Sequence, residues 1–342
     1  MPPVLTPARW DWDAETGPAR LDAALENTGL AWLRAPSLVD AAEREPWTVV
    51  TRLLGRRPSL VERQPIRAVP GGRSFSSGHM EAPFHSDSQM FRGVPPHVQV
   101  MACHRAAARG GEGLYLDTWA LLERLAREDG PLFARLFDVP RRFPFVFGDV
   151  FGPTVSLRGG SLVFTHSPRP VTRDAVAVDL RPWIEAAAAI EVRAEAGDVV
   201  VIHNHRLLHG RRGFEDVGRS FTRVLAWRDA PWPAPVRLVE RARDAAQRLD
   251  AGLQGAPDGV REAFGMNAPS APSERLGIVL ELLRGVPAGV LSAREGVPEP
   301  VLYRWRDAAL QAATRGLQEM GEPPAMPDEA QGWLERLRTN EE

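Results

Sequence analysis

Between residues 97 and 227 the chain repeats one unit of construction: four to seven β-branched, aromatic or aliphatic residues, usually bounded by Gly, Pro or Asp. The runs are HVQVMAC (97–103), GLYLD (113–117), FPFVFG (143–148), TVSL (154–157), SLVFTH (161–166), IEVRA (190–194), DVVVIH (198–203) and FTRVLAW (221–227). Runs this short and this regularly interrupted predict many short strands. One helix is expected among them, over TWALLERLARED (118–129), where Trp119, Leu122, Leu125 and Ala126 share a face and Gly130-Pro131 ends it. The expected fold class is therefore mainly β with inserted helices, in a closed or double-sheet core such as a jelly roll.

After Trp227 the pattern changes. DAPWPAP breaks the strand rhythm, and VRLVERARDAAQRLDAGL (236–253) reads as one amphipathic, solvated helix. GMNAPSAPS (265–273) has the Pro, Ser and Gly content of a linker. In LGIVLELL, Leu276, Val279, Leu280 and Leu283 form one stripe at i, i+3, i+4 and i+7. VLSAREGV and PEPVLYRWRDAAL then complete a helix, a Gly-containing turn and a third helix. The expected organisation is a β domain over 1–232, a helical connector and linker over 233–273, a small all-α module over 274–320, and a tail over 321–342.

Composition removes several chemistries. All 42 Lys+Arg positions are arginine, so Schiff-base, P-loop and protein-kinase lysines are absent. The single cysteine, Cys103, excludes internal disulfides and cysteine-rich metal sites. A net charge of −2 gives no global basic field for nucleic acid or anionic lipid. The N-terminal sequence lacks the pattern of a signal peptide, and there is no run of about 18 apolar residues; a cytoplasmic, non-membrane protein is expected.

Two segments carry metal-ligand spacing. EAPFHSDSQMF holds His85-x-Asp87, and two ligands at i and i+2 on extended chain project to one side. EAGDVVVIHNHRLLHGRRGFEDVGRSFTRVLAW adds His203, His205 and His209, each a candidate third ligand. Two histidines and one carboxylate leave coordination positions open, as in non-haem Fe(II) oxygenases. A zinc site built from His203, His205 and His209 is the competing metal reading. Arg219 and Arg223 follow on the returning strand, where a buried guanidinium calls for an anion.

These residues resemble the taurine dioxygenase (TauD/TfdA) and γ-butyrobetaine hydroxylase superfamily of Fe(II)/2-oxoglutarate-dependent oxygenases. The likeness runs through FHSDSQMFRGVPPHVQVMACHRAAARGGEGLYLDTWALLERLAREDGPLF and resumes at AGDVVVIHNHRLLHGRRGF. It implies a double-stranded β-helix core, with His85, Asp87 and His209 holding Fe(II). Arg219 would hold the distal carboxylate of the co-substrate 2-oxoglutarate, and Arg223 would face an anionic substrate group. Asp87 also separates the chain from halogenating relatives, which lack that carboxylate. The implied reaction uses O2 to hydroxylate or desaturate a C–H bond of a small metabolite, an amino acid or derivative, with an Arg- and Ala-rich composition suiting natural-product biosynthesis. Two departures stand out: HNHR (203–206) replaces the family's Asp-Asn-Arg-Arg, and Gly113 stands where some members carry a Thr that helps hold 2-oxoglutarate. Thr118 is one candidate replacement.

The segment RLGIVLELLRGVPAGVLSAREGVPEPVLYRWRDAAL is similar to the helix-turn-helix of insertion-sequence transposases, which would make the chain a DNA-associated regulator with an oxygenase-derived sensing domain. Charge opposes that reading. Over 274–320, six arginines (275, 284, 294, 304, 306, 315) meet six acids (274, 281, 295, 299, 307, 319), leaving no phosphate-neutralising surplus. Self-association or covering of the active site is the favoured expectation for this module.

Overall fold

The computed structural model describes residues 4–69, 75–87, 94–143, 150–167, 178–216, 218–252, 272–283 and 286–297, with isolated positions between 302 and 313. The expected strand beyond Phe143, the linker as far as residue 271, most of the third module helix and the 321–342 tail lie outside these residues. The chain separates into two compact units, Met1–Pro269 with Gly289–Val297, and Ser270–Ala288 with Pro298–Glu342.

The first unit is mostly sheet. Its strands run β1 (Val4–Leu5), β2 (Arg9–Asp11), β3 (Leu30–Arg34), β4 (Leu60–Arg67), β5 (Ala82–His85), β6 (Val98–Arg105) and β7 (Gly113–Asp117). Then come β8 (Arg141–Phe143), β9 (Val150–Gly152), β10 (Val155–Arg158) and β11 (Ser161–Phe164). The last four are β12 (Ala189–Val192), β13 (Asp198–His203), β14 (Leu207–Arg211) and β15 (Ser220–Trp227). One sheet has the order β2-β3-β13-β6-β15-β4 and the other β1-β12-β7-β14-β5; β8-β9 and β10-β11 are separate hairpins. Strands distant in sequence are adjacent in both sheets, in a mainly β core with helices.

Side-chain alternation explains why the central strands read as continuous apolar runs. Val98, Val100, Val199, Val201, Val224 and Ala226 point to one face of the larger sheet and are buried with Leu21, Leu25, Val49 and Leu53 from helices α1 (Gly17–Asn27) and α3 (Pro46–Leu54). The opposite face, through Val200 and Ile202, packs on Tyr115, Val192 and Leu207 of the second sheet. Strands covered on both faces need apolar residues at both parities. Each fully buried aliphatic side chain contributes about 1.5–3 kcal/mol. The facing surfaces of the two sheets also leave the space that holds the site.

The expected helix forms as α4 (Thr118–Glu128), following α2 (Pro36–Ala42) in chain order, and Asp117 caps it by accepting from the Trp119 and Ala120 amides at 2.9 and 3.4 Å. The expectation of one helix among the strands is corrected. Beyond α1 to α4, helices α5 (Gly130–Asp138) and α6 (Arg181–Glu185) are present. Five of these six, α1, α2, α3, α5 and α6, carry Pro in the first turn. Pro has no N–H to lose there and its fixed φ suits the helix, so it opens a helix as readily as it ends one. Helix α7 (Val236–Gly252) matches the expected amphipathic segment and buries Leu238, Ala242 and Ala245 with residues of α4 and α5.

In the second unit, the helix Pro272–Leu283 buries Ile278 and Val279, whereas Leu276, Leu280 and Leu283 are exposed. The expected stripe is therefore displaced, because a helix apolar on nearly every side does not select its buried edge by periodicity. The helix Ala288–Glu295 ends at Gly296 with a left-handed φ of 67°, the Gly-containing turn read from the sequence. Val290, which belongs to the first unit, packs against Leu60, Leu225 and Trp227. No helix among the described residues is long and apolar enough to cross a membrane.

Candidate active site

The site is built on the row of residues that crosses β5, β14 and β7. His209 pairs with His85 on one side and with Tyr115 on the other. Residues opposite each other in an antiparallel ladder project to the same face, so all three side chains enter the space between the sheets. Asp87 lies two residues past His85, just beyond the end of β5. The ladder between β14 and β5 is irregular between His209 and Arg211, and a Cβ on Gly210 would lie 2.8 Å from the Ala82 carbonyl oxygen. The Gly of the His-Gly-Arg motif thus permits the close approach of the strand that carries His85.

One donor atom from each of His85, Asp87 and His209 comes within 4.8 Å of the others. The Nε2 of His85 is 3.8 Å from Asp87 Oδ1, and the Nε2 of His209 is 3.6 Å from Asp87 Oδ2. His85 Nδ1 donates to the Pro83 carbonyl at 2.8 Å, which turns the Nε2 lone pair toward Asp87. Burial depresses both imidazoles, His209 to about 3 with the neighbouring His85 adding to the effect, so both are neutral at physiological pH. Burial would raise the Asp87 carboxyl, but Arg223 and the two imidazoles hold it down at about 2. Two neutral nitrogens and one ionised oxygen converging in this way fit a divalent cation with open positions.

The expected 2-oxoglutarate arginine is also inside. Arg219 is 6% exposed, stacks on Phe221 at 4.0 Å and Phe214 at 5.2 Å, and has no ion-pair partner among the described residues. Burial pushes its guanidinium down to about 10, still cationic near neutrality. Neither of the nearby acids in sequence, Glu215 and Asp216, forms an ion pair with Arg219; Asp216 lies 3.7 Å from Arg105 and accepts from the Gly218 amide. Gly110 shapes this corner: its φ is 71°, and a Cβ there would lie 2.1 Å from the Gly213 carbonyl. His85, His209, Arg219 and Arg223 line one cavity of about 730 Å³, counted out to its mouth. Its apolar walls include Phe75, Met101 and Val200.

Arg223 is placed differently from a free substrate ligand. Its guanidinium donates to Asp87 and to the Gln64 side chain, while its buried Nε has no partner. His203 and His205 are not brought to the site. β13 ends at His203, so the i, i+2 spacing does not put His203 and His205 on one strand, and His205 sits in the turn with Nε2 on the Pro95 carbonyl at 2.8 Å. Among the described residues, the zinc alternative of His203, His205 and His209 does not converge; the converging group is His85, Asp87 and His209. Thr118 donates to the Arg206 carbonyl at 2.6 Å and is absent from the cavity wall, so it does not replace a Thr at position 113.

Residues 7–179 match the family described as taurine catabolism dioxygenase TauD, TfdA family, just over half of the chain. The chain belongs to the TauD/TfdA family. Its relatives include dioxygenase str8 of Strobilurus tenacellus, 25% identical over 46% of this chain and 41% of that one. The gamma-butyrobetaine dioxygenase of Homo sapiens is 24% identical over 52% of this chain and 50% of its own length. The chain thus spans about half, or less, of these curated relatives. A solved asparagine oxygenase in complex with Fe(II), 2S,3S-3-hydroxyasparagine and succinate is 20% identical with a TM-score of 0.47, over 63% of this chain and 80% of that one. The TauD/TfdA match covers His85 and Asp87 and stops before His209 and Arg219.

Sequence reasoning missed two polar wall residues. Arg211 donates to the carbonyls of Phe75, Gly78 and Met80, at 3.1, 3.1 and 2.6 Å, and so fixes the segment that leads into β5. Tyr115 lines the cavity as the direct ladder partner of His209. Parity is the signal that could have found both: Arg211 is i+2 from His209, and Tyr115 is i+2 from Gly113.

Proposed function

We propose that this TauD/TfdA chain is an Fe(II)- and 2-oxoglutarate-dependent dioxygenase that hydroxylates or desaturates an unactivated C–H bond of a small carboxylate-bearing metabolite, an amino acid or derivative in natural-product biosynthesis. The observation that carries this reading is the convergence of His85, Asp87 and His209 on a cavity whose wall also holds Arg219 without an acidic partner among the described residues. Membership of the family, and relatives named as dioxygenases, support the reaction class.

When bound, Fe(II) and 2-oxoglutarate supply O2-driven oxidation of a C–H bond, coupled to release of CO2 and succinate. The chain's own work is binding and exclusion. His85, Asp87 and His209 hold the cation, and Arg219 offers its planar fork to the far carboxylate of 2-oxoglutarate. Phe75, Met101 and Val200 keep water from the reacting face. Arg223 balances the Asp87 charge; once a cation takes over that role, its guanidinium is available to a substrate carboxylate at the cavity wall.

The test is Fe(II)-dependent succinate formation from 2-oxoglutarate, screened across free L-amino acids and their derivatives. Stimulation by a carboxylate-bearing substrate, lost in Asp87→Ala, is the expected result. Failure of the metal-loaded chain to bind 2-oxoglutarate, with no succinate from any candidate, would overturn the reading.

A further inference from the structure

Gly113 leaves a gap in the wall that the chain fills from two residues away. A Cβ built on Gly113 would lie 2.7 Å from the Tyr115 hydroxyl oxygen and 3.1 Å from its ring. The Tyr115 side chain therefore leans back along β7, and its hydroxyl stands where a side chain at position 113 would be. One residue pair earlier, a Cβ on Gly111 would lie 3.3 Å from Arg219 Nε. Tyr115 is itself the direct ladder partner of His209. Its hydroxyl is thus reached by passing from the His209 row along β7 toward Arg219, on the same cavity wall.

We propose that the Tyr115 hydroxyl donates a hydrogen bond to the carboxylate of 2-oxoglutarate held by Arg219, taking over a role that a side chain at position 113 cannot play in this chain. The assignment rests on the oxygenase reading above. Burial raises the Tyr115 hydroxyl well above the usual phenol range, with the Arg219 charge acting in the opposite sense. The group stays protonated and keeps a proton to donate. Replacing Gly113 by a larger residue would displace the hydroxyl, so the pair works as one device: a small residue at 113 and a tyrosine at 115.

Isothermal titration of the Mn(II)-loaded protein with 2-oxoglutarate, without turnover, separates this role from packing. Tyr115→Phe keeps the ring that packs with Leu30, Val192 and Val200. It is expected to raise the Kd for 2-oxoglutarate by about tenfold or more, as for a lost hydrogen bond to a charged group, with Mn(II) affinity and Tm unchanged. Gly113→Ala is an independent probe that leaves Tyr115 in the sequence. Position 113 lies outside the left-handed region, so an added methyl acts by pushing the hydroxyl aside, and a weaker 2-oxoglutarate Kd is expected again. Equal 2-oxoglutarate affinity in wild type and both variants would overturn the proposal while leaving the oxygenase reading standing. No 2-oxoglutarate binding in wild type would remove both.

Discussion

Among the described residues the β domain holds two groups of buried histidines, and one of them converges with a carboxylate. His85 and His209 face a carboxylate across 3.8 and 3.6 Å, on the wall of a cavity. His97, His203 and His205 lie close together, with ring centroids 4.8 Å apart for His97–His205 and 5.9 Å for His203–His205. Of this second group, His205 reaches only a small pocket beside Ser86 and Asp87, away from the cavity that His85 and His209 line. His203 sits against Trp119 and Trp232, His205 bonds to the Pro95 carbonyl, and His97 contacts Ser161 and the Arg228 amide. Burial lowers all of these imidazoles in both groups. Burial and clustering are thus common to the two, and the convergent carboxylate and the larger cavity are what set the first group apart.

The largest expected effect lies on the first group. Asp87→Ala or His209→Ala should weaken Fe(II) or Mn(II) binding by more than about a hundredfold, beyond the loss typical of removing a residue that only supports a ligand. Equilibrium metal titration measures it, and near-wild-type affinity in either variant would break the comparison. Next comes Arg219→Gln, which should raise the 2-oxoglutarate Kd roughly 10- to 100-fold through loss of charge-assisted hydrogen bonds while leaving metal affinity intact.

The second group should show itself in acid. His97 is lowered to about 4 and His203 to about 3, in both cases chiefly by burial. As pH falls below the ordinary value near 6.5, the unfolded chain takes up protons that these folded residues refuse. Stability is therefore full above about pH 6.5 and declines on acidification toward pH 4, by about 1.4 kcal/mol per pH unit for each histidine. Chemical denaturation across that range should show the slope, and His203→Leu, measured for its slope rather than its absolute stability, should flatten it. A flat profile in wild type would mean these imidazoles are not excluded from protonation. The smallest effect is expected from His205→Leu, with metal affinity within about twofold of wild type on the ligand assignment above.

Particular residues show how much was legible. The short apolar runs HVQVMAC and DVVVIH gave the central strands, because chain buried on both faces is apolar at both parities. His85-x-Asp87 was readable as a pair from its i, i+2 spacing. Spacing alone left the third partner open among His203, His205 and His209, and the resemblance named His209; the turn after His203 is what brings His209 opposite His85 on β5. Arg211 and Tyr115 share strand parity with His209 and Gly113, but parity alone does not tell which face of a strand opens on a cavity. The Pro-opened helices were hidden because Pro18, Pro36, Pro46, Pro131 and Pro182 read equally well as breaks.

The most direct test of the central claim is an anaerobic titration with Fe(II) and 2-oxoglutarate, followed by the visible charge-transfer absorption of the chelated metal. A band in wild type and in His205→Leu that is absent in His209→Ala would establish which histidine group holds the iron. A band that survives His209→Ala, or vanishes in a folded His205→Leu protein, would contradict the assignment.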